Sequence, residues 1–297
     1  MENTTSNPET AGLSLRGILE KYGESLWTEG KHKKNVFSFV LEADEILFGC
    51  KFVAFTNDDL ERVHSALQAK GNSAATINRK SMALSKLLRF AHKSGDLAAV
   101  PEFKQNKEPE ERFRFLTPKE EYFLFDCIGR LNRLYQQLSI ALVDTGAKIG
   151  ELIDLKWKDI SLDDSRVWLS KGSAYYERMI PITARLKAIL SSMERDQPGP
   201  FFTIEQYKYR SVWNEAKREV GFGDESGIVP YILRHTCASR LVMGGVDLRR
   251  VQLWLGHRTL RMTLKYDYLS TNDLSIGVSI LENAVAKAPV ASTGSRI

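Results

Sequence analysis

The chain has 297 residues, a length that favours two domains; 43% are apolar and 27% charged, with only 20 glycines and 9 prolines. That balance excludes a disordered chain, a collagen-like repeat and a disulfide scaffold. The formal charge of +5 permits an anionic partner, and the three scattered cysteines, Cys50, Cys127 and Cys237, lack metal-ligand spacing and suggest a reducing, cytoplasmic setting.

The first ten residues, MENTTSNPET, are polar and read as a loose tail. They lack a basic segment followed by an apolar one, so no signal peptide is expected, and no apolar run approaches the roughly 20 residues of a membrane span. Helical patterning then runs from Leu13 to about Val100. Leu13, Leu15, Ile18 and Leu19 open one amphipathic stretch, and Val36, Phe37, Val40 and Leu41 a second. Thr56 followed by Asp58 and Asp59 suits a helix start. After Gly71 comes ATINRKSMALSKLLRFAHKSG, whose Ile77, Leu84, Leu87, Leu88 and Ala91 share one face. Its charges include Arg79, Lys80, Lys86, Arg89 and Lys93, and no acidic residue lies between Gly71 and Gly95. Such a helix can lie along a phosphate backbone or simply present a solvated face.

The stretch PEFKQNKEPEERFRFL, Pro101 to Leu116, has linker composition. A helix then starts at Pro118, with Thr117 and Glu120 forming a capping box. Residues 118–160 read as helical, DSRVWLS and ERMIPIT as two short strands around Lys171-Gly172-Ser173, and residues 204–220, 234–254, 260–268 and 273–287 as helical again.

Four stretches of this second domain belong together. They are DTGAKIGELIDLKWKDI (Asp144 to Ile160), the hairpin with Lys171, YILRHTCASRL (Tyr231 to Leu241) and LGHRTLRMTLKYDYL (Leu255 to Leu269). In order and spacing they resemble the tyrosine recombinases, the phage-integrase family of site-specific DNA recombinases. That family carries a T-G-A-R-x-G-E box, a hairpin lysine, an H-x-L-R-H box, an L-G-H box and a tyrosine nine residues later. The resemblance covers roughly residues 13–285. It implies a mainly α fold with a small β-sheet: a helical SAM-like core-binding domain over 11–103, a linker over 104–116, and an α/β catalytic domain of the DNA breaking-rejoining fold over 117–287. Residues 1–10 and 288–297 are expected to be disordered tails, and no further DNA-binding module is expected before Leu13.

A phosphodiester resists nucleophiles because it is an anion whose transition state gathers more charge, so fixed cations are the remedy. The resemblance gives that part to Arg234, whose planar fork can donate two parallel hydrogen bonds, and to His257. Tyr266 becomes the nucleophile, giving a 3′-phosphotyrosyl link and a free 5′-hydroxyl. A phenol titrates near 10, so it needs nearby cations or a proton acceptor. Lys171 matches the acid that protonates the departing 5′-oxygen, and Glu151 the accessory carboxylate that orients neighbouring cations. Arg79, Lys80, Lys86 and Arg89 are the expected DNA-binding residues of the first domain.

Two positions depart from the family. Lys148 stands where an arginine is expected, and Tyr231 opens the box that usually begins with histidine. A phenol can also donate a hydrogen bond or relay a proton. Lysine keeps the charge but loses the fork, a loss of about 1.5–3 kcal/mol or roughly 10- to 100-fold in rate. The chain then reads as a recombinase slowed naturally or by an introduced substitution, or as a catalytically inactive, site-specific DNA-binding protein. The resemblance further implies double-stranded DNA as partner, a homo-tetramer on two sites exchanging strands through a Holliday junction, and a C-terminal segment from about Leu274 to Ala286 docking in trans. No metal and no cofactor are expected.

Overall fold

The computed structural model describes residues 12–108, 113–170 and 177–270, with residues 278 and 282. The chain divides into two compact units, Met1–Glu111 and Arg112–Ile297.

The first unit is built of four helices: α1 Leu15–Leu26, α2 Lys31–Ile46, α3 Asn57–Ala69 and α4 Ala74–Lys93. Three start on side-chain caps, from Ser14, Thr56 and Ser73; the Thr56 cap is reciprocal, since Asp59 accepts from the Thr56 backbone. Leu15, Ile18, Val40, Leu84, Leu87 and Leu88 are nearly or wholly inaccessible and form the core with Phe55 and Val63. Truncating one such leucine to alanine costs about 2–5 kcal/mol. Helix α4 is two-faced: the leucines point inward, while Arg79, Met82, Lys86, Arg89 and Lys93 stand exposed at helical spacing.

The second unit opens with α5 Pro118–Leu131, whose Thr117–Glu120 capping box is formed in both directions. Next come α6 Arg133–Thr145 and the short α7 Ile149–Ile153. A three-stranded antiparallel sheet follows in the order β1 Ile160–Ser161, β2 Arg166–Leu169, β3 Arg178–Pro181. Val167 pairs with Ile180 and both face the core, while Arg166 and Trp168 face out. Helices α8 Ala184–Ser191, α9 Gln206–Glu219, α10 Ile232–Met243, α11 Leu248–Leu255 and α12 Arg261–Leu264 complete the unit. The fold is thus mainly α with a small sheet. The expected single helix over 234–254 is two, because Gly244 and Gly245 break it and Gly245 takes φ +82°. Strand β1 and helix α8 lie in stretches without a clear periodic signal. The expected helix over 273–287 falls, apart from residues 278 and 282, outside the described residues.

Two helix ends pack against the neighbouring elements of this unit. Helix α6 stops at Gly146 (φ +62°) and α11 at Gly256 (φ +66°), both in the left-handed region. A Cβ at Gly146 would lie 2.7 Å from Leu255 Cδ2, and one at Gly256 would lie 2.9 Å from Arg178 Nη1. Only glycine permits both the turn and the close approach.

Candidate functional site

Arg234 sits in the first turn of α10 and is 2% exposed. Nη1 donates to the Gly146 carbonyl at 2.6 Å and Nη2 to the Leu255 carbonyl at 2.7 Å, so the guanidinium lies between the ends of α6 and α11. Those two bonds use two of its five N–H groups. Nε is buried without a hydrogen-bond partner among the described residues. A buried, under-satisfied cation favours an anionic ligand, because burial otherwise penalises the charge. Burial indeed pulls its proton affinity below the usual arginine value, with Arg178 adding to the fall and Tyr231, Glu151 and Tyr266 opposing it. Arg234 lines a cavity of about 170 Å³ with Tyr231, Gln206, Arg210, Ile149 and Pro230.

His257 follows the Gly256 turn and is 4% exposed. Its Nδ1 is 2.9 Å from Thr263 Oγ1. Burial first, and then Arg234, Lys265, Lys148 and Arg178, hold the imidazole down to about 3, so it is neutral at neutral pH. Four cations around one neutral ring mark the place as strongly electropositive.

Glu151, on α7, is buried and receives both ends of the Arg178 fork: Nη1 to Oε1 at 3.2 Å and Nη2 to Oε2 at 2.8 Å. The Lys148 backbone N–H adds a third bond to Oε2 at 2.8 Å. Burial alone would raise this carboxyl, but the Arg178 hydrogen bonds and charge outweigh it and keep the group below the ordinary carboxylate range. Arg178 also donates from Nε to the Trp254 carbonyl at 2.8 Å, tying β3 and α7 to the end of α11. The Lys148 side chain is exposed beside this pair rather than part of it. The buried bidentate partner of Glu151 is therefore Arg178, which the sequence reading did not single out.

Tyr266 is 1% exposed and packs in a small apolar cluster with Ala238, Val242, Val251 and Leu255. Its hydroxyl lies 2.8 Å from His235 Nδ1. Burial, with smaller help from Tyr231, pushes its proton affinity above that of a free phenol even though Arg234 pulls the other way. Phe113 stacks on His235 with centroids 4.6 Å apart and lies 5.9 Å from the Tyr266 ring. Lys265 sits over Phe113 at 4.2 Å and over Tyr266 at 5.2 Å. Burial and Arg234 lower the Lys265 ammonium from the usual lysine range. Tyr231, 47% exposed, meets His235 edge-on at 5.0 Å.

The structure thus gathers Arg234, His257, Tyr266, Tyr231, Glu151 and Lys148 into one electropositive region. Lys171 lies outside the described residues. His235 and Lys265 were missed, although each adjoins a residue that was named, Arg234 and Tyr266. In the first unit, Arg79, Lys86 and Arg89 are exposed, but Lys80 is not available to a phosphate. It is 7% exposed, and its ammonium donates to Glu42 Oε2 at 2.6 Å and Asn72 Oδ1 at 3.0 Å. Lys80 turns inward because it lies three residues past Ile77 on the buried face of α4. Lys86, Arg89, Lys93 and Lys104 instead line a groove of about 600 Å³ with Phe90 and Phe103. Lys86 is oriented there by the Leu26 carbonyl at 2.7 Å.

Among the described residues no cluster of three or more His, Cys, Asp or Glu side chains is arranged to hold a metal, and no helix is long and apolar enough to cross a membrane.

Comparison with known proteins bears on this region directly. Residues 114–273, just over half of the chain, match the model of the phage integrase family. Tyrosine recombinase XerA of Pyrococcus furiosus is 26% identical over 282 residues, covering 90% of this chain and 96% of that protein. The Tn1549 transposon integrase in complex with a circular intermediate DNA shares the fold, with a TM-score of 0.73 at 17% identity, over 92% of this chain and all of that one. A lambda integrase tetramer bound to a Holliday junction superposes with a TM-score of 0.70 at 18% identity, over 87% and 83%. With its second unit matched from end to end of the described site, the chain belongs to the phage integrase family of tyrosine recombinases, enzymes that break and rejoin DNA strands.

Proposed function

We propose that this chain is a site-specific recombinase in which Tyr266 attacks a DNA phosphodiester to give a 3′-phosphotyrosyl intermediate and a free 5′-hydroxyl. The observation that carries the reading is the state of Arg234: a buried guanidinium held by two carbonyls, with Nε unpaired and with His257 and Tyr266 in the same electropositive region. Arg234 and His257 hold the scissile phosphate, and their fixed donors meet the charge that grows in the transition state. Glu151 and Arg178 hold the end of α11, and so the start of the His257 turn, in place. Lys171 remains the expected acid for the 5′-oxygen, and Tyr231, at the mouth of the cavity, borders the phosphate. Lys148 supplies charge without a fork, so cleavage is slow. Exposed Arg79, Lys86 and Arg89 bind the backbone of duplex DNA.

The phosphotyrosine bond conserves the energy of the broken phosphodiester, so the strand rejoins without a nucleotide cofactor. The lambda integrase tetramer bound to a Holliday junction supports exchange between two sites by four protomers; docking of the segment from about Leu274 to Ala286 in trans is part of the same proposal. The test incubates the protein with a fragment library of its source DNA, stops with SDS, and sequences covalently attached DNA while mapping the modified peptide. An adduct on Tyr266 that vanishes in Tyr266→Phe is the expected result. A second reading, a DNA-binding protein without cleavage, rests on Lys148. Site-specific binding with no adduct in either the native protein or Lys148→Arg would establish it.

A further inference from the structure

We infer that His235 is the group that takes the proton from Tyr266 when the phenol attacks, a part that the family pattern does not give it. The inference rests on the nucleophilic role of Tyr266 proposed above.

The geometry carries it. His235 Nδ1 is 2.8 Å from the Tyr266 hydroxyl, the only hydrogen bond that hydroxyl makes among the described residues. The position where the family has histidine, 231, holds a tyrosine. Its ring touches His235 edge-on at 5.0 Å rather than reaching Tyr266 by a hydrogen bond. His235 lies four residues further along α10, one turn on the same face, where the H-x-L-R-H box ends in its second histidine; of the box's two imidazoles this chain keeps the one bonded to Tyr266. Phe113 stacks on the ring at 4.6 Å and 22°, fixing its plane.

The charged and titratable groups facing this pair are Arg234, Tyr231 and Cys237 from α10, and Lys265 and Tyr268 from the segment that carries Tyr266. Burial first, then Lys265 and Arg234, hold His235 down to about 4. The ring is therefore neutral at neutral pH and has one nitrogen able to accept. In the free protein the proton rests on the phenol, whose own affinity is raised by burial. A bound phosphodiester anion offsets the two cations, which raises the affinity of the imidazole; that of the phenol rises too, and falls only as its oxygen bonds to phosphorus. The proton therefore passes as the bond to phosphorus forms, which requires DNA in place.

The step balances. The Tyr266 Oη–H bond breaks and its proton passes to His235 Nδ1. Oη forms a bond to phosphorus, and the bond from phosphorus to the 5′-oxygen breaks, that oxygen taking a proton from the acid expected at Lys171. On rejoining, the 5′-hydroxyl returns its proton to the amine expected at Lys171 and attacks phosphorus, and the imidazolium returns its proton to Oη as that oxygen leaves.

Two experiments test this, one without DNA. In the native chain labelled with ¹⁵N-histidine, the signals missing from His235→Asn identify the ring. At pH 7 the expected form is neutral, with the proton on Nε2 and Nδ1 accepting; a proton on Nδ1 would overturn the inference. The second uses the DNA fragment recovered by covalent capture. Asparagine keeps an acceptor near the place of Nδ1 but cannot take a proton, so His235→Asn should bind the fragment and cleave at least about 100-fold more slowly. Its rate should climb with pH where the native rate levels off, and added imidazole should restore part of the rate in His235→Gly. Native-like cleavage and an unchanged pH profile in His235→Asn would reduce His235 to a holder of the tyrosine. A native protein that forms no adduct at all refutes the function proposed above, and the tautomer then still decides whether His235 accepts the phenol proton.

Discussion

On α4 the cations Arg79, Lys86, Arg89 and Lys93 stand in solvent on long side chains, while in the second unit Arg234 and Arg178 are buried and fastened by carbonyls and by Glu151. Both sets suit an anion, yet they suit it differently. Exposed charges are screened within about 10 Å at 0.1 M salt, so they attract a polyanion from a distance and tolerate variation in its position. Buried charges are screened far less and cannot move, so they act on one phosphate in one geometry. Under the proposed function, the same residue type serves capture in one unit and chemistry in the other.

That contrast is open to direct attack. Arg234→Ala should lower the rate of adduct formation by about a thousandfold or more while binding to DNA persists; single-turnover cleavage and a binding assay run together measure the two. Arg178→Met leaves Glu151 buried without its partner and should cost about 3–5 kcal/mol in urea unfolding. Glu151→Gln/Arg178→Met should recover part of that loss, because the uncompensated charge is gone.

Lys148→Arg should raise cleavage about 10- to 100-fold if residue 148 reaches the phosphate. An unchanged rate would show that residue 148 does not contact the phosphate. A gentler effect is linked to pH. His257 and His235 are depressed to about 3 and about 4, below the ordinary value of about 6.5. Between those values the unfolded chain binds the extra protons, so stability is complete above about pH 6.5 and falls on acidification. The slope approaches about 1.4 kcal/mol per pH unit for each ring, and denaturant midpoints at pH 7 and pH 5 measure it. The smallest effect belongs to the exposed set: Arg89→Ala should weaken binding uniformly across sequences and reduce the salt slope by about one. Loss of discrimination between sequences in that variant would blur the division between the units.

Local signals carried the elements that depend on neighbours in sequence. The Thr117 capping box, the amphipathic face of α4 and the β2–β3 hairpin need only a few residues to specify them, and they were legible. Names for Arg234, His257 and Tyr266 came from boxes whose spacing is fixed. What stayed hidden was pairing at long range. Arg178 meets Glu151 across 27 residues, and Lys80 meets Glu42 across 38. No periodicity tells which of several cations will be drawn inward. His235 adjoins Arg234 in sequence, yet its bond to Tyr266 spans 31 residues and appears only when α10 and the segment after α12 are packed together. The β1 strand, two residues long, is created by its partner rather than by its own pattern.

The left-handed turns at Gly146 and Gly256 have one more consequence. Each ends a helix so that a neighbouring carbonyl dipole is held against the Arg234 guanidinium. In water such a cation would carry a mobile shell that must rearrange each time charge shifts nearby. Here part of that shell is made of peptide groups whose orientation was fixed when the chain folded. The reorganisation that solvent would demand during the reaction has therefore already taken place, at the moment two helices were stopped by glycine.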